Sequence, residues 1–312
     1  MPDSKHLAGA VTAFATIFLL RHFIKARNHR SKRIPPAEER VLILGASSGL
    51  GRTLAKQYAA RGARVCVVAR RFHPLADLAR ECGERCLPFI ADFTKAEDMV
   101  RLRDGLLLKW GGLDTLHVCA GVSAVQPVMA LTGIRSSDDD PDAAGVQTAT
   151  EIAGRATQGN FFGPLVAAVT FIPMMKRTSP SPAILLVSSV AAVVPAPTRA
   201  LYAATKAASL LLFQSLAIEH PQIAFTCILP ATIEGNFRSS AVDVDPSQKI
   251  DETNKKGLKV DYVARRCAEA VDSGSRGNIV IPWFPYAIAH HLYYIWPSFI
   301  EQQARKKYDF TG

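Results

Sequence analysis

From residue 41 onwards, short apolar runs alternate with longer helix-like segments, and this alternation constrains the fold more than any other feature. The strand-like runs cover residues 41–44, 65–69, 87–91, 113–119, 183–188 and 223–229. The helix-like segments cover residues 50–61, 74–81, 95–110, 145–175, 201–220 and 261–271. Apolar strands that alternate with helices indicate a parallel sheet covered on both faces. The 312 residues, 48% of them hydrophobic, therefore predict one large α/β domain.

The chain begins with an apolar segment that is followed by positive charge. Residues 7–20 hold no charged side chain, and the adjoining residues lengthen this run toward the roughly 20 residues of a membrane-spanning helix. Six Lys or Arg residues follow between Arg21 and Arg33. We expect residues 7–24 to be an uncleaved anchor within an N-terminal anchor and basic linker (1–36), which leaves the rest of the protein cytosolic. A buried soluble helix and a mitochondrial presequence are the alternatives.

The charge and cysteine content narrow the classes of function. The formal net charge is +10, and residues 1–40 hold eight Lys or Arg against three Asp or Glu, an excess of five. A basic arm suits nucleic acid, but charge beside an apolar run is better explained as membrane-flanking, so we expect no nucleic-acid partner. The six cysteines show neither disulfide-like nor zinc-like spacing. We expect reduced thiols and no metal site.

The C-terminal region is apolar and rich in aromatic residues. Residues 279–300 contain seven aromatic residues and no Lys, Arg, Asp or Glu. Pro282, Pro285 and Pro297 argue against one straight spanning helix. Trp and Tyr suit a membrane interface, so residues 283–300 are expected either to contact the membrane or to pack against a dimer partner.

These features divide the chain into three parts. We expect residues 37–282 to form the main domain, with residues 277–282 as its last strand, and residues 283–312 to form an aromatic tail. Whether the tail contacts membrane or protein, we expect it to border the substrate entrance. An apolar substrate is therefore favoured.

A glycine-rich turn follows the first strand-like run. Residues 45–51 read GASSGLG and open a helix-like segment. Such a turn lets the backbone approach a pyrophosphate, and the N–H groups of the helix N-terminus bind the anion. Glycine-rich turns are common, and it is the place between strand and helix that favours a dinucleotide site. The candidate contacts are Gly45, Ser47, Ser48, Gly49, Leu50 and Gly51.

The second strand-like run ends in Ala69 and is followed by Arg70 and Arg71. A site that selects NAD has an acid near this position, whereas a guanidinium suits the 2′-phosphate of NADP. The sequence therefore favours NADPH/NADP, with two solvated arginines as the structural alternative. Asp92, after the third run, is expected either to reach the adenine ring or to cap a helix.

Four polar residues indicate acid–base chemistry. Tyr202 and Lys206 lie four residues apart and share one helix face. A nearby ammonium and a positively charged cofactor ring would lower the pKa of the phenol. Ser189, at the end of a strand-like run, is placed to lie beside the phenol. Asn160 lies in a break within a helix-like region, where it holds a water or marks a kink.

Together, GASSGLG, Asn160, Ser189 and Tyr202-x-x-x-Lys206 resemble the short-chain dehydrogenase/reductase family over about residues 40–282. The resemblance implies a Rossmann-type doubly wound parallel sheet of about seven strands in a single domain. It also implies hydride transfer between NADP(H) and a carbonyl or alcohol. In the roles that it implies, Ser189 orients the substrate oxygen, Tyr202 is the general acid/base, Lys206 binds the nicotinamide ribose, and Asn160 completes a water relay.

The resemblance adds cofactor contacts at Ala120, Gly121, Pro230 and Ile233. Three departures accompany it. The first is Val118-Cys119 where the family has Asn-Asn, and the second is Ala231 where it has glycine, with Gly235 or Asn236 where it has Thr. The segment from Gly121 to Asn160 is also longer than usual, and it contains the acidic stretch 136–143, which we expect to be an exposed loop.

Two membrane-bound branches of the family are similar to this chain. One contains 11β-hydroxysteroid dehydrogenases and the related dehydrogenase/reductase member 7 enzymes, and residues 230–243 resemble it slightly more. The other contains 3-ketodihydrosphingosine reductases. Both imply a lipophilic substrate (steroid-, retinoid- or lipid-like) at the endoplasmic reticulum membrane. The resemblance leaves undecided whether the chain forms a homodimer. A catalytically silent NADP(H)-binding membrane scaffold or sensor is the alternative from another class.

Overall fold

The computed structural model describes residues 30–134, 138–244 and 256–310. Its strands are β1 (Arg40–Leu44), β2 (Arg64–Ala69), β3 (Cys86–Ile90), β4 (Thr115–Val118), β5 (Ala183–Val187), β6 (Ala224–Pro230) and β7 (Gly277–Ile281). They form one seven-stranded sheet in the order β3-β2-β1-β4-β5-β6-β7, and every neighbouring pair is parallel. The predicted doubly wound parallel sheet is confirmed.

Helices connect the strands. They are α1 (Gly49–Ala60), α2 (Phe72–Cys82), α3 (Ala96–Trp110), α4 (Ala143–Thr157), α5 (Gly163–Thr178), α6 (Ala200–Glu219) and α7 (Val260–Asp272). A π-helical turn, Gln158–Phe162, joins α4 to α5. The segment expected as helix 145–175 is therefore two α-helices with a break at the position of Asn160.

The sheet has a hydrophobic core on each face. Side chains of β1 alternate between them, since Leu42 and Leu44 enter one cluster while Val41 and Ile43 enter the other. Helices α3, α5 and α6 cover the first face, and helices α1, α2 and α7 cover the second. All five residues of β5 are buried. Two-sided burial explains why the inner strands read as continuous apolar runs.

The carboxyl ends of the parallel strands meet at one edge of the sheet. The order reverses beside β1, because β2 and β3 lie on one side of it and β4 to β7 on the other. Ligands of open α/β sheets bind outside the carboxyl ends at such a switch point. The glycine-rich turn after β1 and the segments after β2, β4, β5 and β6 all reach this edge.

The predicted basic linker is fastened to the domain at Arg30. Arg30 is 3% exposed, and its guanidinium bonds to Glu39 at 2.5 Å and to Thr115 Oγ1 at 2.7 Å. It also donates to the carbonyls of Asp114 and Ser181. Arg30 lies within the predicted anchor and basic linker (1–36), and a buried ion pair with Glu39 fixes it to the domain. The predicted anchor, residues 7–24, lies outside the described residues.

The C-terminal tail folds into two helices, α8 (Trp283–Tyr293) and α9 (Pro297–Tyr308). Pro297 begins α9, where proline suits the first helical turn. Several large apolar side chains of the tail are exposed: Trp283, Phe284, Ile288, Tyr294, Ile295 and Trp296. Among the described residues, α6 is the helix with the length and hydropathy of a membrane span. Because α6 packs on the sheet, we regard it as a helix of the domain.

Candidate active site

Helix α6 supplies the predicted pair of a phenol and an ammonium. Its sequence is rich in Ala and Leu, which favour helix, and one turn separates Tyr202 from Lys206. Tyr202 is 7% exposed and Lys206 is 3% exposed. The Lys206 Nζ lies 6.0 Å from the centroid of the Tyr202 ring. Both side chains thus face inward from the helix that covers the sheet.

Ser189 follows β5 and reaches the phenol of Tyr202. It begins a short 3₁₀ turn, where its hydroxyl accepts from the N–H of Ala191 at 3.1 Å. The same hydroxyl interacts with the phenol and favours its charged form. The structure therefore brings Ser189, Tyr202 and Lys206 together, as the sequence predicts.

The protein environment does not lower the pKa of Tyr202. Burial raises the pKa of the phenol, and the nearby Arg199 guanidinium and Ser189 hydroxyl oppose the rise. The expectation that Lys206 lowers this pKa is not met by the side chains alone. Among the described residues, the cation closest to the ring is Arg199, whose Cζ lies 4.3 Å from the centroid.

Lys206 is a buried ammonium with a carbonyl partner. Its Nζ donates to the carbonyl of Val187 at 3.0 Å. Burial lowers the pKa of Lys206 from 10.5 to about 8, while the Cys119 thiol opposes this shift. Burial also raises the pKa of Cys119 to about 12. Cys119, which stands where the family has asparagine, therefore lies beside the ammonium as a neutral thiol.

Asn160 is buried in the π-helical turn and its side chain is occupied. Its Oδ1 accepts from Val122 N at 2.9 Å, and its Nδ2 donates to Val122 O at 3.0 Å and to Thr205 Oγ1 at 3.1 Å. The amide therefore ties the segment after β4 to helix α6. Of the two sequence alternatives, the helix break is present. The side-chain donors are used within the protein, so they do not hold a water.

The turn after β1 has the geometry of a phosphate-binding loop. Gly45 has φ of 86°, and a Cβ there would lie 2.6 Å from the backbone of Ala120. At Gly51 a Cβ would lie 2.3 Å from the carbonyl oxygen of Gly45. Ser48, the N-cap residue of α1, makes no side-chain bond to the first turn. Those N–H groups thus face the cavity without a capping side chain, and the loop fits a pyrophosphate.

The segments after β2 and β3 carry the other predicted cofactor contacts. Arg70 and Arg71 are exposed at the end of β2, and Arg71 donates to Ser47 Oγ at 3.0 Å. Arg71 is therefore linked to the glycine-rich loop. The Asp92 carboxylate accepts from the N–H and hydroxyl of Thr94. It supports a turn before α3, whose N-cap residue is Lys95, so Asp92 does not cap that helix.

One cavity of about 1380 Å³ connects these parts. Its wall includes the predicted residues Gly45, Ser47, Ser48, Gly49, Leu50, Gly51, Arg70, Arg71, Asp92, Ala120, Gly121, Ser189, Tyr202, Lys206, Pro230 and Ile233. Asn160 lies behind the wall, which its neighbour Gly159 lines. The cavity runs from the glycine-rich loop, past Tyr202, to the two tail helices.

Sequence reasoning missed several residues of the cavity wall. Arg199 precedes α6 and lies over the Tyr202 ring, while Phe237 packs edge-on against the same ring with centroids 6.1 Å apart. Tyr308, from α9, is close enough to influence Tyr202 electrostatically. Arg199 lies three residues before Tyr202, a helical spacing that could have drawn attention to it. No local pattern connects Phe237 or Tyr308 with the phenol.

The sequence model described as short chain dehydrogenase matches residues 39–245. The 11-beta-hydroxysteroid dehydrogenase A of Arachis hypogaea is 32% identical over 258 residues, which cover 78% of this chain and 68% of that protein. The 11-beta-hydroxysteroid dehydrogenase-like 4A of Arabidopsis thaliana is 29% identical over 84% of this chain and 80% of its own length. The chain therefore belongs to the short-chain dehydrogenase family and is an oxidoreductase.

Two solved structures share the fold. A short-chain dehydrogenase from Streptomyces avermitilis has a TM-score of 0.64 at 22% identity and covers 87% of this chain and 98% of its own. An alcohol dehydrogenase from Thermococcus sibiricus, complexed with 5-hydroxy-NADP, has a TM-score of 0.62 at 20% identity, with 78% and 95% covered. At these identities the likeness supports the fold alone.

Proposed function

We propose that this protein transfers hydride between NADP(H) and a carbonyl or alcohol of a lipophilic substrate, with Tyr202 as general acid/base. The observation that carries the proposal is the cluster of Tyr202, Ser189 and Lys206 in the wall of one large cavity. A phosphate-binding loop lies at one end of that cavity and apolar helices lie at the other. Relatives named 11-beta-hydroxysteroid dehydrogenase support a carbonyl or alcohol substrate.

The choice of NADP(H) rests on charge at the end of β2. Arg70 and Arg71 are exposed there, and both line the cavity beside the glycine-rich loop. A guanidinium matches a 2′-phosphate in charge and geometry. Asp92, the nearest predicted acid, follows β3 and is held by Thr94. An acid at the end of β2, which would favour NAD, is replaced by arginine.

The bound cofactor would supply the hydride, while residues of the chain would position the substrate and donate a proton to its oxygen. Ser189 and Tyr202 would hold the carbonyl oxygen between two hydroxyl groups, and Tyr202 would donate its proton as the alcohol forms. Burial keeps the phenol protonated, which suits an acid. Lys206 lies one turn away and would bind the ribose of the cofactor through its ammonium.

Asn160 serves this chemistry through the backbone. Its side chain joins Val122 to Thr205, so it fixes the segment after β4 against the catalytic helix. A π-helical turn leaves backbone groups without their usual helical partners, and such turns are frequent at functional sites. We infer that a proton relay, which the family resemblance implies, uses the backbone of this turn.

The tail favours a lipophilic substrate. Ile288, Leu292, Phe299 and Ile300 of the two tail helices line the cavity beyond Tyr202. Burial of an apolar substrate surface against such an apolar wall is energetically favourable. The exposed aromatic residues near the start of α8 and around Trp296 suit a membrane interface. Together with the anchor expected at residues 7–24, these aromatic residues support a protein that acts at a membrane. We propose that this membrane is the endoplasmic reticulum.

Replacing Tyr202 with Phe tests the assignment. The variant keeps the ring and its packing but has no proton to donate, so we expect kcat for ketone reduction to fall at least about 100-fold. NADPH binding, measured by fluorescence titration, should stay within a few-fold of the wild type. A matched control is Tyr262→Phe, because Tyr262 lies on α7 and is partly exposed.

Two results would contradict the proposal. Normal turnover by Tyr202→Phe would exclude Tyr202 as the proton donor. Tight NADPH binding by the wild type, without reduction of any ketone in a broad panel, would favour a catalytically silent NADP(H) sensor or scaffold instead.

A further inference from the structure

Arg199 occupies a central position in the cavity wall. It directly precedes α6, and its Cζ lies 4.3 Å from the centroid of the Tyr202 ring. Its Nη1 donates to Ser123 Oγ at 3.1 Å and to the carbonyl of Ala124 at 2.7 Å. These two bonds hold the guanidinium between the segment after β4 and the catalytic phenol.

Most of the hydrogen-bonding capacity of this guanidinium is unused. Arginine has five N–H donors, and the two bonds of Arg199 come from Nη1. Within the described parts of the chain, the donors on Nε and Nη2 find no acceptor, and no carboxylate forms an ion pair with Arg199. Asp243, whose charge acts on Arg199, is tied through Oδ2 to the N–H groups of Val125 and Gln126.

The backbone before Arg199 is strained. Thr198 has φ of 61°, in the left-handed region that a β-branched residue rarely adopts. Strained backbone persists where the surrounding structure demands it and is concentrated at functional sites. The strained residue, Thr198, directly precedes Arg199, whose guanidinium lies over the Tyr202 ring.

Among the described residues, basic side chains outnumber acidic ones on the substrate side of the cavity wall. Three basic side chains line that side: Arg155, Arg199 and Lys307. The acidic residues in the wall are Asp92, on the cofactor side, and Glu234, which pairs with Lys259 at 2.7 Å. A partly buried cation that makes no ion pair is costly, and an anionic ligand would relieve that cost. Burial accordingly lowers the pKa of Arg199.

We propose that Arg199 binds an acid group of the substrate, which makes the substrate a lipophilic oxo acid or hydroxy acid. Because the guanidinium lies against the ring of Tyr202, the acid group lies within a few bonds of the reacting carbonyl. The hydrocarbon body extends along Ile288, Leu292 and Phe299 of the tail. This inference rests on the proposed reduction by NADPH and specifies its substrate class.

Matched pairs of substrates test the inference. We would measure NADPH oxidation by the purified full-length protein with 2-oxodecanoic and 4-oxodecanoic acids and with their methyl esters. For the wild type we expect kcat/KM to favour an acid over its ester. In Arg199→Met the ratio of kcat/KM for the acid to kcat/KM for its ester should fall about 10- to 100-fold, the range for a lost hydrogen bond to a charged group. A loss that acid and ester share reflects the contact of Arg199 with the Tyr202 ring and cancels in this ratio.

Two further variants sharpen the result. Arg199→Lys keeps the charge without the planar fork and should retain part of the preference for the acid. Arg177→Met, at an exposed position in the last turn of α5, removes an arginine far from the cavity and should change neither substrate.

The outcomes separate the two proposals. An equal loss for acid and ester in Arg199→Met would show that Arg199 only positions Tyr202, and it would overturn the inference while the reductase stands. A wild type that reduces the esters but not the acids would do the same. If neither acids nor esters nor neutral ketones are reduced, the proposed function itself fails.

Discussion

The buried ammonium of Lys206 makes a prediction about stability that is independent of any substrate. Lys206 is 3% exposed, and burial lowers its pKa from 10.5 to about 8. Each pKa unit corresponds to 1.36 kcal/mol, so charging this lysine in the folded protein costs about 3 kcal/mol more than in the unfolded chain. The hydrogen bond to the Val187 carbonyl returns only part of this cost.

The sign of the pH dependence follows from proton counts. Between about pH 8 and pH 10.5 the unfolded chain binds the proton of Lys206 and the folded protein does not. The free energy of unfolding therefore rises with pH across this window through Lys206. In Lys206→Met this contribution is absent. We expect the stability of the wild type minus that of the variant to increase by about 2 to 3 kcal/mol from pH 7 to pH 10.

Urea denaturation at a series of pH values measures this difference. The protein should be free of added nucleotide, because NADPH binding would add its own stabilisation. Lys176→Met, at an exposed position on α5, controls for the loss of one lysine charge. A wild-type-minus-variant difference that stays flat or falls between pH 7 and pH 10 would refute the reasoning that Lys206 is an ammonium whose charge is opposed by burial.

Two further predictions concern charges at opposite edges of the sheet. Arg70→Asp should weaken NADPH binding at least about tenfold and leave NADH binding nearly unchanged, since only the 2′-phosphate contact is lost. Equal weakening of both nucleotides in fluorescence titrations would argue against that contact. Arg30→Met should lower the free energy of unfolding by about 2 kcal/mol, because the 1% exposed Glu39 loses its 2.5 Å partner and keeps Arg61, at 3.4 Å, as its remaining cationic partner among the described residues. The exposed Arg33→Met should have little effect, and a similar loss in both variants would show that Arg30 is not specifically docked.

Local sequence patterns predict most of the fold because each element here obeys a local rule. The run RVLIL is buried on both sides as β1, and the segment opened by GASSGLG becomes α1, because periodicity and glycine content depend on neighbouring residues only. The sequence around Asn160 indicates a break in the helix, but it does not predict that the break is a π-helical turn. That form depends on Val122 and Thr205, which lie 38 and 45 residues away.

The same difference between local patterns and contacts distant in sequence applies to the candidate active site. Ser189, Tyr202 and Lys206 could be predicted because a strand end and a helix place them by short spacings. The docking of Arg30 could not, since its partners Thr115 and Asp114 are more than 80 residues distant. Arg199 illustrates both cases, because it directly precedes the helix of Tyr202 but is held by Ser123 and Ala124 in the segment after β4.

Burial works against charge at each of the three titratable groups around the proposed substrate site. It raises the pKa of Tyr202 and lowers the pKa values of Lys206 and Arg199. A structure selected for stability alone would fill such positions with apolar side chains, so a cost at all three favours function as the reason for keeping them. Each group has a ligand that would offset its cost: the substrate oxygen for the phenol, the cofactor ribose for the ammonium, and an acid group for the guanidinium. The binding of cofactor and substrate should therefore stabilise this protein more than their contact areas alone would suggest.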